Sequence, residues 1–169
     1  MAGCGVVEEI AAGADAVWRR LADVGSVHEW GPGIRACRLE GRGVGAVRTL
    51  DMGTMAFRER IDALDEATRS LRYSILSGPM PGRDYRAAVR VEEAGPGRAR
   101  VSWSCRFDAP ELPEAELARV HGELEAAYRG MIAALERSLR AQAPAALAAP
   151  GETGSSSPER PPRQERSTR

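Results

Sequence analysis

Arg48 and Glu59 are the charged residues whose type and spacing most directly suggest chemistry. Gly53 and Thr54 have the composition of a two-residue hairpin turn, and such a turn places Arg48 directly opposite Glu59 on adjacent strands. Side-chain alternation puts both on the same face as apolar residues such as Phe57, so we expect both charges to point toward the concave side of a sheet. An ion pair on an apolar wall is costly to bury unless both charges are paired and hydrogen-bonded.

The sequence leaves three interpretations of this pair open. In the first, the pair is a structural salt bridge that fixes the register of the two strands. In the second, it binds a polar group of a ligand. In the third, Glu59 accepts a proton in acid/base catalysis. Whether a ligand can reach the pair decides among them.

Four aromatic residues with polar tips, Tyr73, Tyr85, Trp103 and Tyr128, are predicted on the same inner side. Apolar bodies with polar tips suit a pocket for aromatic or polycyclic molecules, and ordinary core packing is the alternative. His121 falls on the helical stripe that contains Tyr128, which makes it either a candidate general base or a hydrogen-bonded core residue. Only a sheet and a helix packed together can bring these residues close to one another.

Hydrophobic periodicity predicts those elements. Apolar residues at three- and four-residue steps indicate a helix over 14–22 and a long helix that begins at Pro113, and the S-x-x-E sequence at 26–29 indicates a capping box that opens a short second helix. Alternating segments between turn residues predict strands at 6–10, 35–40, 46–52, 55–64, 69–77, 85–93 and 98–108. Short hairpin connections imply an antiparallel sheet, and the long helix must cover one face. The other face carries arginines interleaved with acids and is predicted to be solvated.

Several segments together resemble a known superfamily. They are VVEEI, ADAVWRRLAD, HEWGPGI, GRGVGAVR, RERIDALD, LRYSI and VSWSCRF. Over residues 5–141 the chain resembles the START-like helix-grip (SRPBCC) superfamily, and within it the polyketide cyclase/dehydrase and lipid-transport family of small bacterial proteins. The resemblance implies an α+β helix-grip fold, in which a curved antiparallel sheet of about seven strands, in the order β-α-α-β6-α, wraps around a long C-terminal helix with an internal cavity.

The resemblance implies function less closely than fold, because the family includes cyclases, ligand carriers and receptors. We expect a protein that binds a hydrophobic or polycyclic small molecule, lipid or polyketide-like, between sheet and helix. The alternative is a cofactor-independent cyclase or dehydratase in the same cavity, with Glu59 and His121 as catalytic candidates. A third possibility is a partner protein without a ligand. The candidate ligand-binding residues are Arg48, Phe57, Glu59, Tyr73, Tyr85, Trp103, His121 and Tyr128.

Composition argues against other function classes. The chain has 24 basic residues, all arginine, against 24 acidic ones, so no net positive field attracts nucleic acid. No apolar segment approaches the roughly 18 to 20 residues that span a bilayer, and residues 1–5 lack a secretory signal pattern, so we expect a cytoplasmic protein without stable membrane insertion. Two histidines are too few for a histidine-rich metal site, and the G-x-G-x-x-A sequence at 41–46 continues as a strand, so we expect neither metal nor cofactor.

The last part of the chain differs from the rest. Residues 151–169 contain no apolar side chain, and the segment before them is almost entirely alanine and proline. Such a segment cannot bury enough surface to offset the entropy of ordering. We therefore predict a helix-grip domain at 1–142, followed by a disordered tail at 143–169, in a monomer or a homodimer.

Overall fold

The computed structural model describes residues 1–80 and 82–142, where a curved seven-stranded antiparallel sheet packs against two α-helices. The strands are β1 (Ala2–Ile10), β2 (Ala36–Glu40), β3 (Val47–Asp51), β4 (Ala56–Asp65), β5 (Ser70–Ser77), β6 (Arg83–Glu93) and β7 (Ala99–Asp108). The helices are α1 (Ala14–Ala22) and α2 (Glu114–Gln142), and a single 3₁₀ turn spans Val27–Glu29. This order confirms the predicted α+β helix-grip fold in its curved antiparallel sheet and its long C-terminal helix.

The strands follow the order β1-β7-β6-β5-β4-β3-β2 across the sheet. Every neighbouring pair is antiparallel. Strands β2 to β7 pair with their neighbours in sequence, whereas β1 pairs with β7 from the other end of the sheet-forming segment. Short connections can build the first set, whereas the β1–β7 pairing joins segments that are distant in sequence and therefore costs more loop-closure entropy.

The β3–β4 hairpin has the predicted register. Gly53 adopts a left-handed φ of 89°, and the Met52 N–H donates to the Met55 carbonyl over 2.9 Å, which closes the two-residue turn. Arg48 therefore lies directly opposite Glu59. The hairpin prediction, made from turn chemistry alone, is confirmed.

The concave face of the sheet contributes most of the core. Alternate residues along β6 and β7, such as Val89 and Val101, are almost completely buried. The helix α1 adds Trp18, and α2 adds Tyr128 and Leu135. Because α2 packs most closely against β1 and also contacts α1, the core is most tightly covered at the β1 end of the sheet.

Three local expectations change. The predicted capping box is wrong, because the Ser26 hydroxyl donates backward to the Asp23 carbonyl over 3.0 Å and gives no side-chain cap, so a single 3₁₀ turn forms instead of a helix. The first strand begins at Ala2, four residues early, because its whole length pairs with β7. Other element boundaries move by at most two residues. The predicted tail at 143–169 lies outside the described residues.

No helix in the described part of the chain is long and apolar enough to cross a bilayer.

Candidate functional site

Arg48 and Glu59 form a buried ion pair on the concave face. Nε of Arg48 donates to Oε2 of Glu59 over 2.7 Å, and Nη1 donates to the Val24 carbonyl over 3.2 Å. The two residues are only 5% and 6% exposed. The predicted orientation of both charges toward the apolar interior is therefore what the structure shows.

Each member of the pair keeps one polar atom available. Among residues 1–80 and 82–142, neither Nη2 of Arg48 nor Oε1 of Glu59 takes part in a hydrogen bond. Neither is among the unpartnered atoms that are completely shut off from solvent. The pair thus keeps one donor atom and one acceptor atom without a partner among the described residues, which a self-contained salt bridge would not need.

Tyr73 continues the site from the ion pair. The guanidinium carbon of Arg48 lies over the Tyr73 ring, 5.3 Å from its centroid, in a cation–π contact. Trp103 Nε1 donates to the Tyr73 hydroxyl over 3.2 Å. Both aromatic residues are buried and come from strands that flank β6, so the concave curvature brings them together.

A second aromatic group lies beside the first. Trp103 stacks on Tyr128 of α2 with ring centroids 5.4 Å apart. The hydroxyl groups of Tyr128 and Tyr85 are hydrogen-bonded to each other, and the Tyr85 ring stacks on Phe107 at 5.8 Å. This group therefore joins the sheet to the long helix through aromatic contacts.

His121 contacts this aromatic group through Phe107. Its ring meets Phe107 edge-on at 6.1 Å, and its Nε2 is shut off from solvent with no hydrogen-bond partner among the described residues. Several aromatic rings separate it from Glu59, so the two catalytic candidates are linked only indirectly. A single proton relay between them has no direct geometric basis.

Seven of the eight predicted ligand-binding residues belong to one continuous series of contacts, in the order Glu59, Arg48, Tyr73, Trp103, Tyr128, Tyr85 and, through Phe107, His121. Phe57 is the exception. It is half-buried on β4, opposite Leu50, near the border of the core.

Burial determines the protonation state of the tyrosines. Desolvation is the largest cause that raises the pKa of Tyr73, Tyr85 and Tyr128 well above the ordinary value of 10.0. The three hydroxyl groups therefore stay neutral at physiological pH. They can orient a ligand by hydrogen bonding, but they are poor proton acceptors, which leaves Glu59 as the carboxylate of the site.

Sequence reasoning missed three features of the site. The Val24 carbonyl binds Arg48 from the segment before the 3₁₀ turn, and Phe107 bridges Tyr85 to the helix. The thiol groups of Cys4 and Cys105 lie 3.5 Å apart across β1 and β7, where burial is the main cause that raises the pKa of Cys4 to about 12. Side-chain alternation along β7 could have placed Phe107 on the same face as Trp103. The Val24 contact and the cysteine contact depend on segments that are distant in sequence.

Within the described residues no group of three or more His, Cys, Asp or Glu side chains is arranged to hold a metal ion.

Comparison with known proteins gives a consistent result. A family model described as "Polyketide cyclase / dehydrase and lipid transport" matches residues 4–142. Among curated proteins, none matches the chain significantly.

Solved structures with the same fold include bacterial and plant proteins. The protein XoxI from Bacillus cereus is 24% identical, with a TM-score of 0.73 over 83% of this chain and 96% of that one. A protein from Thermobifida fusca is 31% identical, with a TM-score of 0.68 over 82% and 93%. Norcoclaurine synthase from Thalictrum flavum, solved with dopamine and hydroxybenzaldehyde, is 17% identical, with a TM-score of 0.67 over 83% and 87%, and shows similarity of fold alone.

Proposed function

The chain belongs to the polyketide cyclase/dehydrase and lipid transport family, and from this premise we propose that it binds a hydrophobic, polycyclic small molecule between the sheet and α2. The Arg48–Glu59 pair would bind the polar end of that molecule. The observation that carries the proposal is the free donor and free acceptor that this pair presents on an apolar, aromatic wall. A carbonyl beside a hydroxyl group on a fused ring would complement both atoms.

Half-buried apolar side chains at the edge of the core support a route by which such a molecule could reach the ion pair. Several apolar side chains stay half-buried on the inner sides of β4, β5 and α2, namely Phe57, Ile75, Leu117, Leu124 and Met131. The helix packs most closely at the opposite end of the sheet, against β1. A ligand could enter between α2 and strands β3 to β5, cover these side chains and reach the ion pair. Each step of this route would bury apolar surface of the ligand and of the protein.

Aromatic contacts would hold the ring system. The faces of Tyr73 and Trp103 are already used in stacking and cation–π contacts, which preorganises their orientation. A planar ligand beside them would add offset stacking to its hydrophobic burial. We therefore expect fused aromatic rings to bind better than a saturated chain of similar area.

Danthron, a tricyclic dihydroxyanthraquinone, is a suitable probe because its carbonyl lies between two hydroxyl groups. Its binding can be followed by quenching of tryptophan fluorescence, since Trp103 lies in the site. We expect saturable binding to the full chain and weaker binding to Phe57→Ala, which removes apolar area at the border. Val7→Ala is the matched control, because Val7 is an exposed apolar residue of the sheet that lies on β1, on the face opposite the buried Val6. Absence of saturable binding by the full chain would contradict the proposal.

Catalysis is the second candidate function, and one observation favours it. Glu59 has a carboxylate oxygen without a hydrogen-bond partner among the described residues, whereas the buried tyrosines stay protonated. A bound poly-β-ketone chain could lose a proton to Glu59 while Arg48 stabilises the resulting enolate oxygen, which is the proton transfer that an aldol cyclisation needs.

Glu59→Gln separates the two functions because the amide preserves shape and hydrogen bonding but cannot take the proton. The probe is an N-acetylcysteamine thioester of a poly-β-ketone chain. If the protein is an enzyme, this variant binds the thioester but loses cyclisation above the uncatalysed rate. No cyclisation by wild type above that rate would contradict the catalytic function and leave ligand binding as the proposal.

A further inference from the structure

The convex face of the sheet, which the proposed ligand site does not use, contains a depression of about 410 Å³. Four arginines from four adjacent strands form its rim: Arg60 on β4, Arg72 on β5, Arg86 on β6 and Arg106 on β7. All four are exposed to solvent. The sequence predicted a solvated face of mixed charge here, and the structure shows these exposed arginines together with one carboxylate, Asp62, in a single depression.

Strand register explains how this depression forms. Arg60 is paired with Ser74, Ser74 with Arg86, and Arg86 with Arg106, so these four residues make one row across four strands. Ser74 lies at the bottom of the depression and is 8% exposed. A short side chain such as Ser74 among long arginines leaves a depression in the surface. Neighbouring strands are about 5 Å apart, which keeps the guanidinium groups within reach of one small ion.

One carboxylate in the depression is already used. Asp62 accepts a hydrogen bond from Nε of Arg60 over 2.8 Å and another from the Ser74 hydroxyl. Burial by itself raises the pKa of Asp62, but the hydrogen bonds from Ser74 and Arg60 outweigh it and lower the pKa below its usual value. Asp62 is therefore ionised and neutralises one of the four arginines.

The other three arginines lack such a partner. In residues 1–80 and 82–142, no carboxylate oxygen lies within 4.0 Å of Arg72, Arg86 or Arg106. Asp84 and Asp108 line a neighbouring depression beside two of them. The Asp108 carboxylate pairs there with the N-terminal amine at 3.7 Å, so it is engaged elsewhere.

Two of these unpaired arginines, Arg86 and Arg106, are cross-strand neighbours. Arg86 lies directly opposite Arg106 in the β6–β7 ladder, and like charges at such positions destabilise a sheet. An anion placed between them would turn this repulsion into two charge-assisted hydrogen bonds. The surplus of three positive charges favours an anion with more than one negative charge.

We propose that this depression is a binding site for a phosphate dianion, with Arg72, Arg86 and Arg106 as its charged ligands and Ser74 at its base. Guanidinium groups match the oxygens of phosphate in pairs, and phosphate monoesters carry close to two negative charges at neutral pH. The phosphate belongs either to a soluble phosphorylated molecule or to a lipid headgroup, since both present the same group.

Thermal unfolding of the full chain tests the site with inorganic phosphate. The Tm is measured in sodium phosphate, sodium acetate and sodium chloride at the same pH and ionic strength. We expect phosphate to raise the Tm of wild type above the other two salts, and titration calorimetry to show about tenfold weaker phosphate binding in Arg86→Gln and Arg106→Gln. Arg106→Gln should also raise the Tm in sodium chloride at low ionic strength, because it removes the like-charge contact.

Arg90→Gln is the matched control. Arg90 is an exposed arginine on the same face of β6, but it forms an ion pair with Glu92 at 3.3 Å and does not border the depression. This variant should keep the full phosphate effect. If either variant in the row fails to fold, Arg72→Gln, on the adjacent strand β5, supplies the same comparison.

Equal Tm values for wild type in the three salts would overturn the proposal, as would a phosphate effect that persists in both Arg86→Gln and Arg106→Gln. Flotation with vesicles of phosphatidylcholine and phosphatidic acid then identifies the source of the phosphate. Flotation that needs phosphatidic acid and Arg86 supports a lipid headgroup. A phosphate effect without flotation supports a soluble phosphorylated molecule.

Discussion

Arg48 and Glu59 face each other across β3 and β4, and Nε of the arginine donates to Oε2 of the glutamate over 2.7 Å within an apolar wall. Removing two charges from water costs several kcal/mol, and their attraction offsets this cost only when the geometry is good and further hydrogen bonds are made. Here the Val24 carbonyl supplies one further bond. The pair is thus stable as long as both charges are present.

Breaking this pair should be much more harmful than removing it. We expect Arg48→Met to lower the free energy of unfolding by about 3–5 kcal/mol, because it leaves the Glu59 charge buried without a partner. The double variant Arg48→Met/Glu59→Leu should recover most of that loss, since an apolar pair fits an apolar wall. Urea unfolding followed by circular dichroism measures both.

The exposed pair Glu9–Arg100 is the control for this comparison. These residues are also directly opposite each other, on β1 and β7, with a contact of 2.9 Å, but their side chains are 41% and 46% exposed. Arg100→Gln should cost about 0–1 kcal/mol. A loss in Arg48→Met no larger than the loss in Arg100→Gln would contradict the buried character of the inner pair.

The three tyrosines should resist titration until the protein unfolds. Tyr73, Tyr85 and Tyr128 are the only tyrosines of the chain, and burial raises the pKa of each above 10.0. Their neutral forms are favoured in the folded state, so their contribution to stability is complete below pH 10.0 and is lost as the pH rises above it. Tyrosinate absorbance and circular dichroism, recorded together against pH, should change in one cooperative step.

Titration of the protein in concentrated urea provides the reference, because all three tyrosines should then titrate near 10.0. Tyrosinate that appears gradually near pH 10, while the circular dichroism remains native, would show that these hydroxyl groups are accessible and would contradict their placement.

The Tyr85–Tyr128 hydrogen bond connects the sheet to α2. We expect Tyr85→Phe and Tyr128→Phe each to lower the free energy of unfolding by about 1–3 kcal/mol, because each leaves a buried hydroxyl group without its partner. The double variant should lose less than the sum of the two, since it leaves neither hydroxyl group behind. Strictly additive losses in urea unfolding would mean that the two groups do not interact.

Two glycines should respond to alanine with opposite signs. Gly53 has a φ of 89° in the β3–β4 turn, so Gly53→Ala should cost about 1–2 kcal/mol. Gly122 lies in α2, and an added Cβ there meets nothing within 4 Å, so Gly122→Ala should gain about 0.5–1 kcal/mol. Equal effects at both positions, measured by urea unfolding, would contradict the assigned turn.

Much of the site could be predicted from local patterns. The two-residue turn fixed which residues of β3 and β4 are opposite, and alternation fixed which face they share, so Arg48, Glu59 and Phe57 were placed on the inner face. The same alternation placed Tyr73 and Trp103 there. Both rules depend only on residues close together in the chain, through the alternation of side chains along a strand and the geometry of a two-residue turn.

Other features depend on packing between distant segments and leave no local signal. The Val24 carbonyl reaches Arg48 only because the segment after α1 folds over β3. The Cys4–Cys105 contact needs the pairing of β1 with β7. The capping box failed for a different, local reason, because the Ser26 hydroxyl donates to the Asp23 carbonyl three residues earlier. The arginine row on the convex face likewise appears only when three strand registers are combined.

Titration calorimetry with danthron is the sharpest test of whether the inner ion pair binds the polar end of a polycyclic ligand. The test compares wild type with the charge-swapped variant Arg48→Glu/Glu59→Arg and with the control swap Arg100→Glu/Glu9→Arg, which reverses an exposed pair. This role of the ion pair predicts that wild type and the control swap bind danthron equally, and that the inner swap binds about tenfold more weakly, because its donor and acceptor are exchanged. Equal binding by all three proteins, or none by wild type, would contradict it.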